Sequence, residues 1–238
     1  MARPRRTVSN SAADKAGQTL RLFSKGDRSV TPQDAVAAYR VVNAYRNMHG
    51  YPLKKATISV GSFIKTVTKD ESLRPSQRFK RQERIIDKLE RFPKMRLAQM
   101  EDIGGIRAVL NDLEQVYGVK DRVLQKWPDA RTNDHVKKPK PSGYQAVHVI
   151  ARRDGRLIEI QLRTRWQDSW AAAVETWAPP AVPFNLKDAP DSCPAPVRQY
   201  FIEVAEAIGE AERGEISAAT LAERVASLAP LLKPWTGK

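Results

Sequence analysis

The stretch that decides the fold is RLIEIQLRT, Arg156 to Thr164. Ile158, Ile160 and Leu162 alternate with Glu159, Gln161 and Arg163, which is the period of a β-strand with one apolar face. Two readings fit the polar side: a sheet surface open to solvent, or the lining of a cleft. In a cleft, Glu159 can ligate a metal or take a proton from a hydroxyl, while Gln161 and Arg163 can hold substrate. Before it, Asp154-Gly155 is a two-residue hairpin turn, and Gln145–Arg152 reads as a second strand.

Working outward, Ile103–Leu110 in EDIGGIRAVL (Glu101–Leu110) reads as another strand. Its two glycines suit close approach of a ligand to the backbone. Asp102 at its start is either a magnesium ligand or an ordinary turn residue. Helices are expected near 32–48, opened by Thr31 and Pro32 and closed by Gly50, and near 52–68, 78–92 and 112–126. Others are expected at 165–177, ended by Pro179-Pro180, and at 194–213 and 217–229, separated by Gly214. KDESLRPSQ (69–77) reads as a loop, and residues 1–12 as a flexible basic arm. The fold class is α+β (mixed α/β): a single domain with a central mixed sheet of about five strands, flanked by helices. Residues 13–70 supply N-terminal helices, 71–180 the core and 181–238 C-terminal helices.

The chain has 238 residues, 41% of them hydrophobic, which excludes a disordered chain. It carries 41 basic and 27 acidic residues, a net +14, with a pI near 10.0. Residues 1–100 hold 22 basic and 8 acidic side chains, hence the whole surplus. Such a surplus serves either solubility or a polyanionic partner. Cys193 alone excludes an internal disulfide framework, and His49, His135 and His148 are too scattered for a zinc cage. No membrane-length apolar run occurs and no secretory core follows MARPRR, so a cytoplasmic protein without a membrane partner is expected.

Two further segments carry chemistry. In RFKRQERIIDKLER (Arg78–Arg91), a helix aligns Lys80, Arg84, Lys88 and Arg91 in one stripe, suited to a polyphosphate or to a solvated face. KKPKPSGYQAVH (Lys137–His148) presents Tyr144 beside Lys137, Lys138 and Lys140. A ring among cations can stack a nucleobase and grip its phosphates; the ring can equally pack in the core. His148 reads by default as a satisfied core histidine.

Taken in order, these segments resemble the synthetase domain of the RelA/SpoT family, in particular its small alarmone synthetases. RFKRQERIIDKLER is similar to the family's basic ATP helix, DIGGIRAV to its Asp–Gly–Arg strand, NDHVKKPKPSGYQAVH to its acceptor loop and EIQLRT to its E-[IV]-Q-[IL]-R-T strand. The resemblance spans about 50–180 and implies transfer of pyrophosphate from ATP to a ribose 3′-hydroxyl, with AMP leaving. It implies that Asp102 and Glu159 hold Mg2+, with Glu159 also deprotonating the attacking hydroxyl. Arg78 and Arg107 would sandwich the adenine, and Lys80 and Lys88 would bind the ATP phosphates. Tyr144 would stack on the acceptor base, with Lys140, His148, Gln161 and Arg163 completing the acceptor site.

Three positions depart from the family pattern. Arg84 stands in the ATP helix where a serine is usual, adding an ATP-binding cation. His135 stands for a tyrosine and Ala146 for a serine. The N-terminal helices and YRNMHGYPL (Tyr45–Leu53) resemble a toxic branch that modifies the 3′-terminal adenosine of tRNA and is restrained by a separate antitoxin. On that likeness and on the basic first hundred residues, the acceptor is expected to be tRNA, contacted by Lys54, Lys55 and Lys65, and the protein a toxin that blocks translation. The alternatives are an alarmone synthetase acting on guanosine or adenosine nucleotides and an inactive RNA-binding module.

Overall fold

The structure, a computed structural model, describes residues 7–176, Leu186 and 192–235. Among these, five strands form one mixed sheet: β1 (Ser76–Phe79), β2 (Gly104–Leu110), β3 (Arg131–Asp134), β4 (Val147–Arg153) and β5 (Arg156–Thr164). Their spatial order is β1-β2-β5-β4-β3. β2 and β5 run parallel, and every other pair is antiparallel. Asp154 and Gly155 form the β4–β5 turn, with φ of 46° and 76°.

The alternation of β5 sorts the helices. Ile158, Ile160 and Leu162 share a buried core with Ile106, Ala108 and Leu110 of β2, and with α3 (Gly50–Thr68) and α5 (Leu113–Lys126). Gly104 lets α3 approach closely: a Cβ there would lie 3.1 Å from Ile158 and 3.5 Å from His49. A second core joins α1 (Asn10–Ser24), α2 (Pro32–Asn47) and α4 (Gln82–Arg91) with Ile103. A third joins α6 (Arg165–Thr176), α7 (Ala195–Glu212) and α8 (Ala218–Leu228) with Tyr144 and Ala146. Fully burying one Leu or Ile is worth about 1.5–3 kcal/mol, so each core is a substantial anchor. No helix among the described residues is long and apolar enough to cross a membrane.

Several elements differ from the sequence expectation. The basic arm is shorter than 12 residues, because Ser9 caps α1 through the Ala12 amide and the helix starts at Asn10. Residues 1–6 and Pro179-Pro180 lie outside the described residues. Ser76 and Gln77, expected in a loop, and Arg78 and Phe79, expected in a helix, form β1. Arg81 is extended (φ −61°, ψ 146°), so α4 begins at Gln82 and Lys80 stands ahead of it. The four-cation stripe is therefore broken at its first member.

One buried group predicts a pH dependence of folding. His49 is 1% exposed and its Nδ1 lies 3.1 Å from the Tyr45 carbonyl. Burial, and then the charges of Arg156 and Arg46, lower its pKa from 6.5 to about 4 against the backbone contacts of Tyr45 and Arg46. Between these values the unfolded chain binds a proton that the folded chain does not. Stability thus falls as pH drops from 6.5 towards 4, by up to about 3 kcal/mol from this group. Urea unfolding across this window should show that loss in the wild type and not in His49→Asn; parallel curves would refute the assignment.

Candidate active site

Register places three cross-strand rows on the side of the sheet away from α3 and α5. One runs Arg131–Ile150–Glu159–Gly105–Arg78, and the next Asn133–His148–Gln161–Arg107–Ser76. Arg163 of β5 continues the same face. Glu159, Gln161 and Arg163 are 8%, 6% and 0% exposed. The polar side of RLIEIQLRT is therefore covered, and the solvent-surface reading fails.

The polar groups close into a ring. Arg163 Nη2 donates to the Tyr144 hydroxyl at 2.7 Å and to Gln161 Oε1 at 3.1 Å. Gln161 Nε2 donates to Glu159 Oε2 at 2.6 Å. His148 Nε2 lies 2.7 Å from the Tyr144 hydroxyl, and its Nδ1 lies 3.0 Å from Glu159 Oε1. Arginine can only donate. The Tyr144 oxygen therefore accepts from Arg163, and His148 bridges that hydroxyl to Glu159 through its two ring nitrogens. His148 is thus buried with both ring nitrogens partnered, as its default reading has it, and its partners lie on the polar face of the sheet.

Burial opposes the Glu159 charge, but the hydrogen bond and charge of His148, the Gln161 amide and the charge of Lys88 lower its pKa to about 2. Burial raises the Tyr144 pKa although Arg163 opposes it. Glu159 is ionised and Tyr144 protonated at neutral pH, as the ring requires.

A second charge cluster stands at the start of β2. Lys80 Nζ lies 2.8 Å from Asp102 Oδ2, and Lys88 Nζ lies 3.0 Å from Oδ1. The Lys80 amide donates to the Ile103 carbonyl at 3.0 Å, and Arg46 Nε donates to the Lys80 carbonyl at 2.7 Å. Lys80 and Lys88 thus converge from different elements. Arg84 does not join them: its side chain is 68% exposed and faces Asp87 at 3.4 Å.

Arg78 and Arg107 are diagonal neighbours on β1 and β2. Diagonal positions lie ~7–8 Å apart, about twice a van der Waals contact of ~3.5–4.0 Å, enough for a planar ring between two guanidinium groups. Gly105 leaves space beside them, since a Cβ there would meet nothing nearer than the Arg78 side chain at 3.7 Å. Asp168, which the sequence reading missed, faces Arg107 at 3.6 Å and Arg163 at 3.2 Å. Its only signal was its position five residues after Arg163 on the following helix.

Two groups of expected site residues are placed apart from the charged clusters. Tyr144 is 0% exposed, its ring covered in this structure. Its loop is clamped by α7: Gln145 Nε2 donates to the Ala205 carbonyl at 2.7 Å, and Gly143 has φ +84°, where a Cβ would lie 2.8 Å from that of Ala205. Lys140 Nζ sits 5.2 Å from the Tyr144 ring. Lys54, Lys55 and Lys65 are exposed on α3, and α3 packs on the opposite face of the sheet from Glu159. Lys55 pairs with Asp154 at 3.1 Å, and Lys65 with Glu71. The structure therefore does not bring these three lysines to the cleft.

Among the described residues no cluster of three or more His, Cys, Asp or Glu could hold a metal by itself. Magnesium is commonly held by one or two carboxylates plus substrate phosphates. Asp102, whose buried Oδ1 meets Lys88 as an ion pair without a hydrogen bond, and ionised Glu159 fit that habit.

Residues 77–178 match the family described as "Region found in RelA / SpoT proteins". A GTP pyrophosphokinase of Bacillus subtilis, YwaC, is 32% identical over 111 residues, covering 40% of this chain and 52% of the relative. An uncharacterised protein of Mycobacterium tuberculosis is 33% identical over 108 residues, covering 43% of this chain and 38% of the relative. The chain thus spans about half or less of these curated relatives. A GTP pyrophosphokinase family protein from Streptococcus pneumoniae shares the fold at TM-score 0.58 and 21% identity, over 77% of this chain and 96% of that one. Small alarmone synthetase 1 of Bacillus subtilis, bound to its product pppGpp, does so at TM-score 0.52 and 20% identity, over 70% and 95%.

The ring predicts a measurable cost. Arg163→Met leaves Tyr144, Gln161 and Asp168 without their donor, and urea unfolding should show a loss of about 3 kcal/mol. A loss below roughly 1 kcal/mol, the net worth of one ordinary hydrogen bond, would mean that the ring does not hold the cleft together.

Proposed function

We propose that this chain, whose residues 77–178 carry the RelA/SpoT region, is an ATP-dependent pyrophosphokinase acting on the ribose 3′-hydroxyl of a purine nucleotide. The observation that carries the reading is the meeting of Lys80 and Lys88 on Asp102, with the Lys88 charge also reaching Glu159. Four charges of alternating sign are poised to exchange partners with a polyphosphate.

Arg78 and Arg107 would hold the adenine, and Lys80 and Lys88 would turn from Asp102 to the β- and γ-phosphates. Asp102 and Glu159 would hold Mg2+, which supplies charge neutralisation on the phosphoryl oxygens when bound. The acceptor 3′-oxygen attacks the β-phosphorus, and the bond from that phosphorus to the oxygen bridging it to the α-phosphate breaks. AMP leaves with the electron pair. The 3′-hydroxyl proton passes to Glu159. A carboxylate with a pKa of about 2 is a weak base while His148 holds it. A hydroxyl that displaces His148 Nδ1 from Oε1 removes the largest lowering contact, so Glu159 regains basicity where the hydroxyl sits.

The Bacillus subtilis relative is a GTP pyrophosphokinase, which makes a guanosine nucleotide the first acceptor to expect. The second reading, modification of the tRNA 3′-terminal adenosine by a toxin with a separate antitoxin, rests on the basic first hundred residues. The placement of Lys54, Lys55 and Lys65 behind the sheet weakens the surface argument for it.

The test incubates the protein with γ-labelled ATP and, separately, GDP or GTP, adenosine nucleotides and deacylated tRNA. Label is expected on a guanosine nucleotide; label on tRNA alone would transfer the proposal to the second reading, and label on none would end it. Asp102→Asn and Glu159→Gln should each lower kcat by about 10²–10³-fold, on the scale of losing one group that stabilises developing charge, with the fold unchanged by circular dichroism. Wild-type rates in both variants would remove these carboxylates from the mechanism.

A further inference from the structure

We propose that Arg46 is a positioning residue for ATP: it fixes the backbone of Lys80 so that the Lys80 ammonium group is aimed at the polyphosphate. The inference rests on the pyrophosphokinase reading above and gives a role to YRNMHGYPL (Tyr45–Leu53). Arg46 stands in the last turn of α2, outside the matched region 77–178. Lys80 lies between the end of β1 at Phe79 and the start of α4 at Gln82, so neither the sheet nor the helix supplies partners for both of its backbone polar groups. Its amide donates to the Ile103 carbonyl at 3.0 Å, and its carbonyl accepts from Arg46 Nε at 2.7 Å. These two bonds pin the residue from opposite sides, and Lys80 Nζ then lies 2.8 Å from Asp102 Oδ2.

Arg46 is itself held in place. Its guanidinium carbon lies 4.9 Å from the centroid of the Phe79 ring, and its Nη1 donates to Asn47 Oδ1 at 3.4 Å. The other side of Phe79 is approached by Gly50, where a Cβ would lie 3.7 Å from the ring tip. Arg46 and Gly50 of the one segment thus enclose the residue that precedes Lys80. A lysine ammonium rides on a flexible four-carbon stem, so its aim depends on how firmly the backbone beneath it is fixed. An anchored backbone leaves less freedom to be lost when the phosphates arrive. Lys88 reaches the same Asp102 at 3.0 Å from within α4, where the helix ladder fixes its backbone, and so does not depend on Arg46.

Two substitutions of matched length separate this role from the charge of Arg46. Arg46→Gln keeps an N–H at the position of Nε, and Arg46→Met does not. Binding of Mg-ATP to the full chain is measured by titration calorimetry without acceptor, and steady-state kinetics use whichever acceptor takes label. Arg46→Met should raise the Kd and KM for ATP about 10-fold, the scale of one charge-assisted hydrogen bond, with the acceptor KM unchanged. Arg46→Gln should recover most of that loss. Combined with Lys80→Met, Arg46→Met should add nothing further, whereas its penalty should persist in a Lys88→Met background. Where Arg46→Met does not fold, Phe79→Leu, which removes the ring beneath the guanidinium, should weaken ATP binding with the same dependence on Lys80. An unchanged ATP Kd in Arg46→Met, equal losses in the Gln and Met variants, or full additivity with Lys80→Met overturns the proposal, while label transfer by the wild type leaves the enzyme reading standing. The expected pattern of ATP affinities without label transfer to any acceptor does the reverse.

Discussion

A guanidinium with no access to water sets the terms for this molecule. Arg163 is 0% exposed, and an unpaired charge at that depth costs several kcal/mol. Its demand for acceptors draws in Tyr144, Gln161 and Asp168 from a loop, a strand and a helix. Tyr144 sits in a loop held by α7, and its hydroxyl meets His148, which in turn contacts Glu159. The strand bearing the candidate catalytic carboxylate, the loop of Tyr144 and the C-terminal helices are thereby tied into one polar ring. Removing the cation disturbs all three together.

The cleft rests with its charges mutually compensated. Asp102 lies between Lys80 and Lys88, and Glu159 is held by His148 and Gln161. A polyphosphate entering such a site exchanges partners with the lysines and strips fewer waters than it would from free ammonium groups. The arrangement also keeps the carboxylates apart from one another by interposed cations, which suppresses the mutual repulsion that would otherwise raise a pKa.

Legibility in the sequence followed the range of the interactions. The β5 strand and its turn were readable because alternation and Asp154-Gly155 are local signals, and the same pattern separated the α3 and α5 core from the cleft. β1 was not, because RFKRQERII carries a helical period and the deciding bond, from the Lys80 amide to the Ile103 carbonyl, is tertiary. β3 is four polar residues, Arg131 to Asp134, with no apolar alternation to detect. The burial of Tyr144 depends on Ala205, sixty positions from Gln145. The row of lysines on α3 looked like a substrate surface in one dimension. Only the packing of Leu53, Ala56, Val60 and Ile64 against the sheet's apolar side reveals that it faces away.

The clamp between Gly143, Gln145 and Ala205 bears on how such a protein can diversify. The matched region ends at residue 178, yet the loop within it takes its shape from α7, which begins at Ala195. Inherited sequence and folding unit therefore have different borders. A lineage can keep every residue of the polar ring and still reshape its loop by altering a helix outside the matched region, where substitutions touch neither Glu159 and Asp102 nor the lysines that meet on Asp102.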